Sequence, residues 1–143
     1  MEPAAEEKPV IQIREIDHVV FRVADLSAML NFYCGILGCT VERRQEEIGL
    51  TQLRAGRSLI DLVTVDGLLG REGGAAPGPE GRNVDHLCLR IEPFDAEAIG
   101  AHLKANGIDS GNVASRYGAE GEGPSIYIKD PEGNTIELKG APW

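Results

Sequence analysis

Two short stretches of the chain, IDHVVFRV at residues 16–23 and VDHLCLRI at residues 84–91, are written in the same pattern. Aligned without gaps, they place aspartate on aspartate, histidine on histidine and arginine on arginine, and most other positions are apolar. The chain has only three histidines, and two of them occupy this one slot. The repeat therefore predicts two related modules, each of which opens with a strand that carries a histidine.

In the first module, a helix follows the repeat strand. Asp25 is a suitable N-cap, apolar residues recur at helical spacing after it, and Gly38 can end the helix. Three predicted strands come next, at 39–46, 50–55 and 58–65. Residues 66–83 are then rich in glycine and proline, which predicts a linker or mobile loop.

The second module repeats this order. A helix is predicted from about Asp95 to Asn106, with Gly107 at its end. Three further strands are predicted at 111–116, 124–129 and 134–139. Asp130-Pro131-Glu132-Gly133 joins the last two as a hairpin turn. The whole chain thus reads as βαβββ, linker, βαβββ.

Each module also closes on a strand that carries an acid. SLIDLV at residues 58–63 parallels NTIELK at residues 134–139, and Asp61 and Glu137 each stand between an isoleucine and a leucine. Two histidines and two carboxylates, brought face to face, would form one site for a divalent metal. Imidazole and carboxylate are the usual ligands of catalytic zinc, nickel, iron or manganese.

An arginine follows each histidine by four positions. Because alternate side chains of a strand share a face, Arg22 is expected to lie with His18, and Arg90 with His86. A guanidinium near the metal could bind a substrate carboxylate through a bidentate pair. The alternative is that both arginines form ion pairs with neighbouring residues.

Composition restricts the possible partners. The net charge is −9, from 23 acidic and 14 basic residues, which opposes nucleic-acid binding. No apolar run is long enough to cross a bilayer, and the acidic N-terminus has no signal-peptide core, so no membrane partner is expected. Three cysteines without a CxxC pair favour reduced thiols in the cytoplasm.

Taken together, these motifs resemble the vicinal oxygen chelate superfamily, the glyoxalase/bleomycin resistance protein/extradiol dioxygenase group. The similar stretches are IDHVVFRVADLSAMLNFYCGILGCTV, SLIDLV, VDHLCLRI and IYIKDPEGNTIEL. The resemblance implies an α+β fold in which two tandem βαβββ modules form a cup-shaped curled sheet around a metal. It implies one domain over residues 14–140, with module one at 14–65 and module two at 84–140, behind a flexible tail at residues 1–13.

The resemblance also implies a ligand set and a homodimer, in which modules could be exchanged between chains. The superfamily's ligand positions fall on His18, Asp61, His86 and Glu137. Arg22 matches a slot that binds the anionic group of the substrate in glyoxalase I-like members. At Asp61 the superfamily's lyases and epimerases typically carry Glu or Gln, so a three-ligand site without Asp61 is the alternative.

The expected function is that of a metal-dependent lyase or isomerase, similar to lactoylglutathione lyase. Its substrate would chelate the metal through neighbouring oxygens and could be anionic or a glutathione adduct, with Glu137 or Asp61 moving a proton. One alternative is an iron-dependent extradiol dioxygenase or a thiol transferase. A second is an antibiotic-binding resistance protein, although few aromatic residues are available for stacking.

Overall fold

The computed structural model describes residues 9–143 of the chain. The predicted flexible tail falls mainly on residues 1–8, which lie outside the described residues. Residues 9–13 are exposed and belong to no helix or strand. The regular structure begins at His18, close to the predicted start of the first module.

Module one contains four strands and one helix. The strands are β1 (His18–Val23), β2 (Thr40–Gln45), β3 (Leu50–Ala55) and β4 (Ser58–Thr64). They form a sheet in the order β1-β4-β3-β2, in which only the β1–β4 pair is parallel. The helix α1 (Leu26–Leu30) begins where the Asp25 side chain accepts from the Ala28 N–H, and it continues as a π-helix over Asn31–Ile36.

Module two has the same plan. Its strands are β5 (Leu87–Arg90), β6 (Ala114–Gly118), β7 (Gly121–Lys129) and β8 (Thr135–Lys139), and its helix is α2 (Ala96–Ala105). The order β5-β8-β7-β6 repeats that of module one, with β5–β8 parallel. The predicted α+β fold of two βαβββ modules is therefore confirmed, as two four-stranded sheets.

One apolar core serves both modules. In β1, the odd-numbered positions from Val19 to Val23 turn toward it, and in β5 Leu87 and Leu89 do the same. The two helices add buried residues such as Phe32 and Leu103 to this core. Because strand side chains alternate between faces, the histidine-bearing face of each sheet turns away from the shared core.

Polar contacts also hold the modules together. The Tyr33 hydroxyl donates to Asp130 Oδ2 at 2.7 Å, and burial raises the pKa of Tyr33 far above its usual range. The Glu132 carboxylate accepts from the backbone N–H groups of Ala24 and Asp25. The hairpin turn between β7 and β8 therefore fixes the place where module one passes from β1 to α1.

Arg22 fastens the segment that joins the modules. Its guanidinium donates to the carbonyl oxygens of Gly70, Gly74 and Ala75 at 2.7–3.0 Å. A Cβ on Gly73 would stand 2.5 Å from the Arg22 Cζ, so a larger residue there would displace the guanidinium. The predicted linker or mobile loop at residues 66–83 contains a 3₁₀ turn at Gly70–Gly73, and the hydrogen bonds from Arg22 connect it to β1.

No helix in the described residues, 9–143, is both long and apolar enough to cross a membrane.

Candidate metal centre

The side chain of each repeated histidine forms a hydrogen bond with the side chain of the aspartate before it. Asp17 Oδ1 lies 2.7 Å from Nδ1 of His18, and Asp85 Oδ2 lies 2.7 Å from Nδ1 of His86. A carboxylate at Nδ1 favours the tautomer that carries its proton there, which leaves the Nε2 lone pair free to bind a metal. The pKa of His18 is raised, first by this hydrogen bond and then by the charge of Asp61, against the opposing effect of burial.

The sequence did not predict this role for the aspartates. Strict alternation places Asp17 and Asp85 on the faces opposite to the histidines. In the structure, β1 begins at His18 and β5 begins at Leu87, so both aspartates lie just outside the regular strands. The regular alternation of side chains does not apply outside a strand, so the two aspartate side chains can turn toward the imidazoles. The repeated Asp-His dipeptide was the available signal.

In module two, the histidine and the acid are in contact. His86 Nε2 lies 3.2 Å from Oε1 of Glu137, which is buried on β8. Glu137 pairs with Cys88 of β5 and with Tyr127 of β7, so it stands in the middle of the sheet. Cys88 is solvent-exposed, but partial desolvation, followed by the charge of Glu137, raises its pKa to about 11. The predicted half-site of one imidazole and one carboxylate is thus assembled here.

In module one, Asp61 occupies the corresponding place on β4. It is only 4% exposed, and its neighbours across the sheet are Val20 of β1 and Gln52 of β3. Gln52 Nε2 donates to Asp61 Oδ2 at 3.2 Å, whereas Oδ1 is buried without a hydrogen-bond partner. A buried carboxylate oxygen without a partner is costly, and a bound cation would satisfy it. The donor set therefore fits a divalent metal.

The four predicted ligands do not meet within one chain. Over residues 9–143 there is no group of three or more histidine, cysteine, aspartate or glutamate side chains placed to hold a metal. The physical reason is the shared core, since both histidine faces turn away from it. The structure brings His86 to Glu137 and places His18 within the field of Asp61, but it leaves the two pairs apart.

The two predicted substrate arginines are engaged with the protein itself. The contacts of Arg22 with the joining segment favour a structural role over the predicted substrate-binding role. Arg90 forms exposed ion pairs with Glu92 and Glu120, and these carboxylates raise its pKa. For Arg90 this is the ion-pair alternative that the sequence left open, whereas Arg22 contacts backbone carbonyls and, within residues 9–143, no acid.

Other polar side chains surround Glu137. The Tyr127 ring meets the His86 ring edge-on at 5.5 Å, and the Arg116 guanidinium lies 4.3 Å from the centre of the Tyr127 ring. Arg116 also donates to the backbone and side chain of Ser125. The repeat does not point to these residues, although the period of two along β7 places Ser125 and Tyr127 on one face.

The family model of the glyoxalase/bleomycin resistance protein/dioxygenase superfamily matches residues 15–138 of the chain. The chain belongs to this superfamily. The resemblance predicted from the sequence is therefore confirmed. The superfamily includes many enzymes as well as non-catalytic members, and its members often use a metal ion.

Relatives and solved structures agree with this assignment. Virulence protein STM3117 of Salmonella typhimurium is 33% identical over 132 residues, which cover 88% of this chain and 83% of that protein. Its crystal structure matches with a TM-score of 0.77 at 26% identity and covers 92% of this chain and 99% of that one. Glyoxalase domain-containing protein RDO1 of Mycosarcoma maydis is 32% identical over 130 residues, 90% of this chain and 69% of that protein.

A fourth comparison shows a likeness of fold alone. The crystal structure of TnmS3, an antibiotic binding protein from Streptomyces sp. CB03234, matches with a TM-score of 0.66 at 18% identity. The match covers 92% of this chain and 98% of that one. The same fold thus serves a binding protein.

Proposed function

We propose that this protein is a metal-dependent lyase or isomerase whose substrate binds the metal through two neighbouring oxygens. The observation that carries the proposal is the repeated half-site. In each module an Asp-His pair holds Nδ1 of the imidazole; in module two the buried Glu137 lies 3.2 Å from Nε2, and in module one the charge of the buried Asp61 acts on His18. The orphaned Oδ1 of Asp61 supports a cation at this place.

The ligands would be His18 and Asp61 from module one and His86 and Glu137 from module two. A bound divalent ion would act as a Lewis acid on the substrate oxygens. Glu137 takes a proton from the substrate at a carboxylate oxygen and returns it to the product. Asp85 and Asp17 hold the imidazole rings in place, and the buried positions of Glu137 and Asp61 exclude water from the reacting carboxylates.

A second copy of the chain would complete the site. The two half-sites face away from one core, so neither can close on the other within the chain. Module one of one copy and module two of another can supply all four ligands, and a two-fold arrangement then builds two equal sites. The resemblance implies the homodimer, and the separation of the half-sites favours a site shared between the two chains.

The test is a mixing experiment with two variants of the full chain, His18→Ala and Glu137→Gln. In a homodimer of either variant, both sites are damaged. In a mixed dimer, one site carries both substitutions and the other carries neither. Co-refolding the two chains in equal amounts should restore high-affinity manganese binding in about a quarter of the sites, because half of the dimers are mixed and each has one intact site.

Two results would count against the proposal. A mixture that binds no more manganese than its parent variants contradicts the exchange of modules. A wild-type chain that binds no divalent metal by calorimetry, across manganese, zinc, nickel and iron, contradicts the metal-dependent function. His102→Ala is the matched control, because His102 lies on α2, contacts the Ile36 carbonyl and belongs to neither half-site.

A second candidate function is the binding of an apolar ligand without catalysis. A cavity of about 950 Å³ lies between the modules, with Ile36, Leu59, Leu87 and Ile99 among its lining residues. Of the four predicted ligands, only His18 reaches it. Binding that survives chelation of metals and is lost in an Ile99→Trp variant would favour this function. Loss of the activity on chelation would favour the enzyme.

A further inference from the structure

Lys139 is a buried cation that the proposed reaction does not use. It is 5% exposed and stands on β8, two positions after Glu137 and therefore on the same face of the sheet. Its ammonium forms no ion pair within the described residues, and its one hydrogen bond, to the carbonyl of Gly140, is long at 3.4 Å. The aliphatic stem lies against Gly118, where a Cβ would stand 2.9 Å from Lys139 Cε.

A buried lysine without an ion pair is unusual. Lysine is almost never fully buried without a partner, because an ammonium removed from water loses a large solvation free energy. No carboxylate of the described residues forms an ion pair with it, not even Glu137, which stands two positions away on the same strand. The ammonium therefore has the capacity to pair with an anion that the protein itself does not supply.

A second cation lies on the same face. Lys139 pairs with Ser125 across the β7–β8 ladder, and Ser125 accepts from Nη1 of Arg116 at 2.7 and 2.9 Å. No other guanidinium nitrogen of Arg116 has a hydrogen-bond partner in the described part of the chain. Arg116 is held over the Tyr127 ring, which itself meets His86. A chain of contacts thus connects the two cations to the metal half-site.

We propose that Lys139 and Arg116 form an anion-binding subsite beside the Glu137 half of the metal centre. The subsite takes a compact oxyanion group of the substrate, a carboxylate or a phosphoryl group. An ammonium and a guanidinium can each donate charge-assisted hydrogen bonds to such a group. This inference rests on the proposed function and assigns to Lys139 and Arg116 the anion recognition that the sequence had placed on Arg22 and Arg90.

The experiment measures anion binding to the full chain by calorimetry at constant ionic strength. The probes are inorganic phosphate and acetate, titrated into protein treated with a chelator and into protein loaded with manganese. Wild type should bind one of the two anions, and the preferred probe distinguishes a phosphoryl from a carboxylate substrate. Lys139→Met, which keeps the apolar stem, should weaken this binding on the order of tenfold or more.

Lys129→Met is the matched control. Lys129 is an exposed lysine of β7 that bonds the hydroxyl of Thr135, so its loss should leave anion affinity unchanged. Lys139→Met removes a buried charge that has no partner, so its thermal stability should be equal to or above that of wild type. If that variant does not fold, Arg116→Gln serves instead, because Arg116 is only half-buried.

The outcomes separate the two proposals. Wild type that binds neither anion, or a folded Lys139→Met that binds as tightly as wild type, overturns the subsite even if manganese binds normally. Anion binding that depends on Lys139 in the chelator-treated protein supports the subsite, and it does so whether or not manganese binds. Failure of the wild type to bind any of manganese, zinc, nickel and iron overturns the metal-dependent function and leaves the subsite standing.

Discussion

The two modules have the same strand order and the same Asp-His pair, but they differ in the residues around that pair. Both hold an Asp-His pair and a buried carboxylate on the face away from the core. In module one the carboxylate is the shorter Asp61, held by Gln52, and Arg22 is used to anchor the joining segment. In module two the longer Glu137 reaches the imidazole, and further cations stand beside it.

This difference predicts that the two modules contribute unequally to the site. Module two has the complete contact between His86 and Glu137 together with Lys139 and Arg116, so we expect it to dominate metal and substrate binding. Module one supplies a weaker half-site, because one oxygen of Asp61 is occupied by Gln52 and the side chain is one methylene shorter. Substitutions at equivalent positions should therefore have unequal effects.

The largest difference is expected between the two carboxylates. Glu137→Gln should weaken manganese affinity by more than about 100-fold, which exceeds the usual loss from a residue behind the ligands. Asp61→Asn should weaken it several-fold, and Asp61→Glu should keep or raise it. Calorimetry on the full chain measures all three. Unchanged affinity in Asp61→Leu would show that Asp61 is not a ligand and that three residues suffice.

The next largest effects on metal affinity are expected at the aspartates that contact Nδ1 of the histidines. Asp85→Asn and Asp17→Asn remove the carboxylates at Nδ1, and each should weaken manganese affinity by roughly 10- to 100-fold, with the larger loss in module two. Both aspartates are exposed, so urea unfolding should be unchanged. Loss of affinity and of stability together would instead show that these residues support the fold.

A third contrast concerns the repeated arginines. Arg22→Leu removes three hydrogen bonds to backbone carbonyls and should lower the free energy of unfolding by about 1–3 kcal/mol. Gly73→Ala, which crowds the same guanidinium, should act in the same direction. Arg90→Leu is the control, since its exposed ion pairs contribute little. If urea unfolding shows an equal loss of free energy in Arg22→Leu and Arg90→Leu, the two arginines do not differ in their structural role.

The smallest effect is expected at a thiol. The pKa of Cys88 is raised to about 11 by burial and by Glu137, while Lys139 opposes the shift. Its alkylation should accelerate with pH up to that value, because only the thiolate reacts. Glu137→Gln should lower the pKa and speed the reaction a few-fold, and Lys139→Met should slow it.

Cys34 of module one is the internal control for this measurement. Burial raises its pKa, with Arg44 as the opposing charge, and neither substituted residue contributes to that shift. Mass spectrometry of iodoacetamide-treated protein follows both thiols in one sample. Equal changes at Cys34 and Cys88 would show a general loosening of the protein instead of a local charge effect.

Much of the fold could be predicted because its signals are local. Asp25 and Asp95 begin their helices as predicted, since a cap depends only on the next few residues. The predicted strands agree with the observed ones within a few residues at their ends. The conformation of residues 66–83 could not be predicted in this way. The hydrogen bonds that connect it to β1 involve Arg22, which is far away along the chain.

The sequence by itself determined the duplication and the βαβββ order, and it predicted the residues of each half-site. These follow from periodicity and from the repeat, which are properties of neighbouring residues. The site-residue assignments themselves stay predictions until metal binding is measured.

Only the tertiary structure decided how those residues are used. Packing both sheets against one core turned His18 and His86 outward, which separated the half-sites that the repeat had suggested would meet. It also placed Arg22 on the joining segment and enclosed Lys139 near Glu137. Such contacts join residues far apart in the chain, and their energies depend on burial and on competing partners, which a linear pattern does not contain.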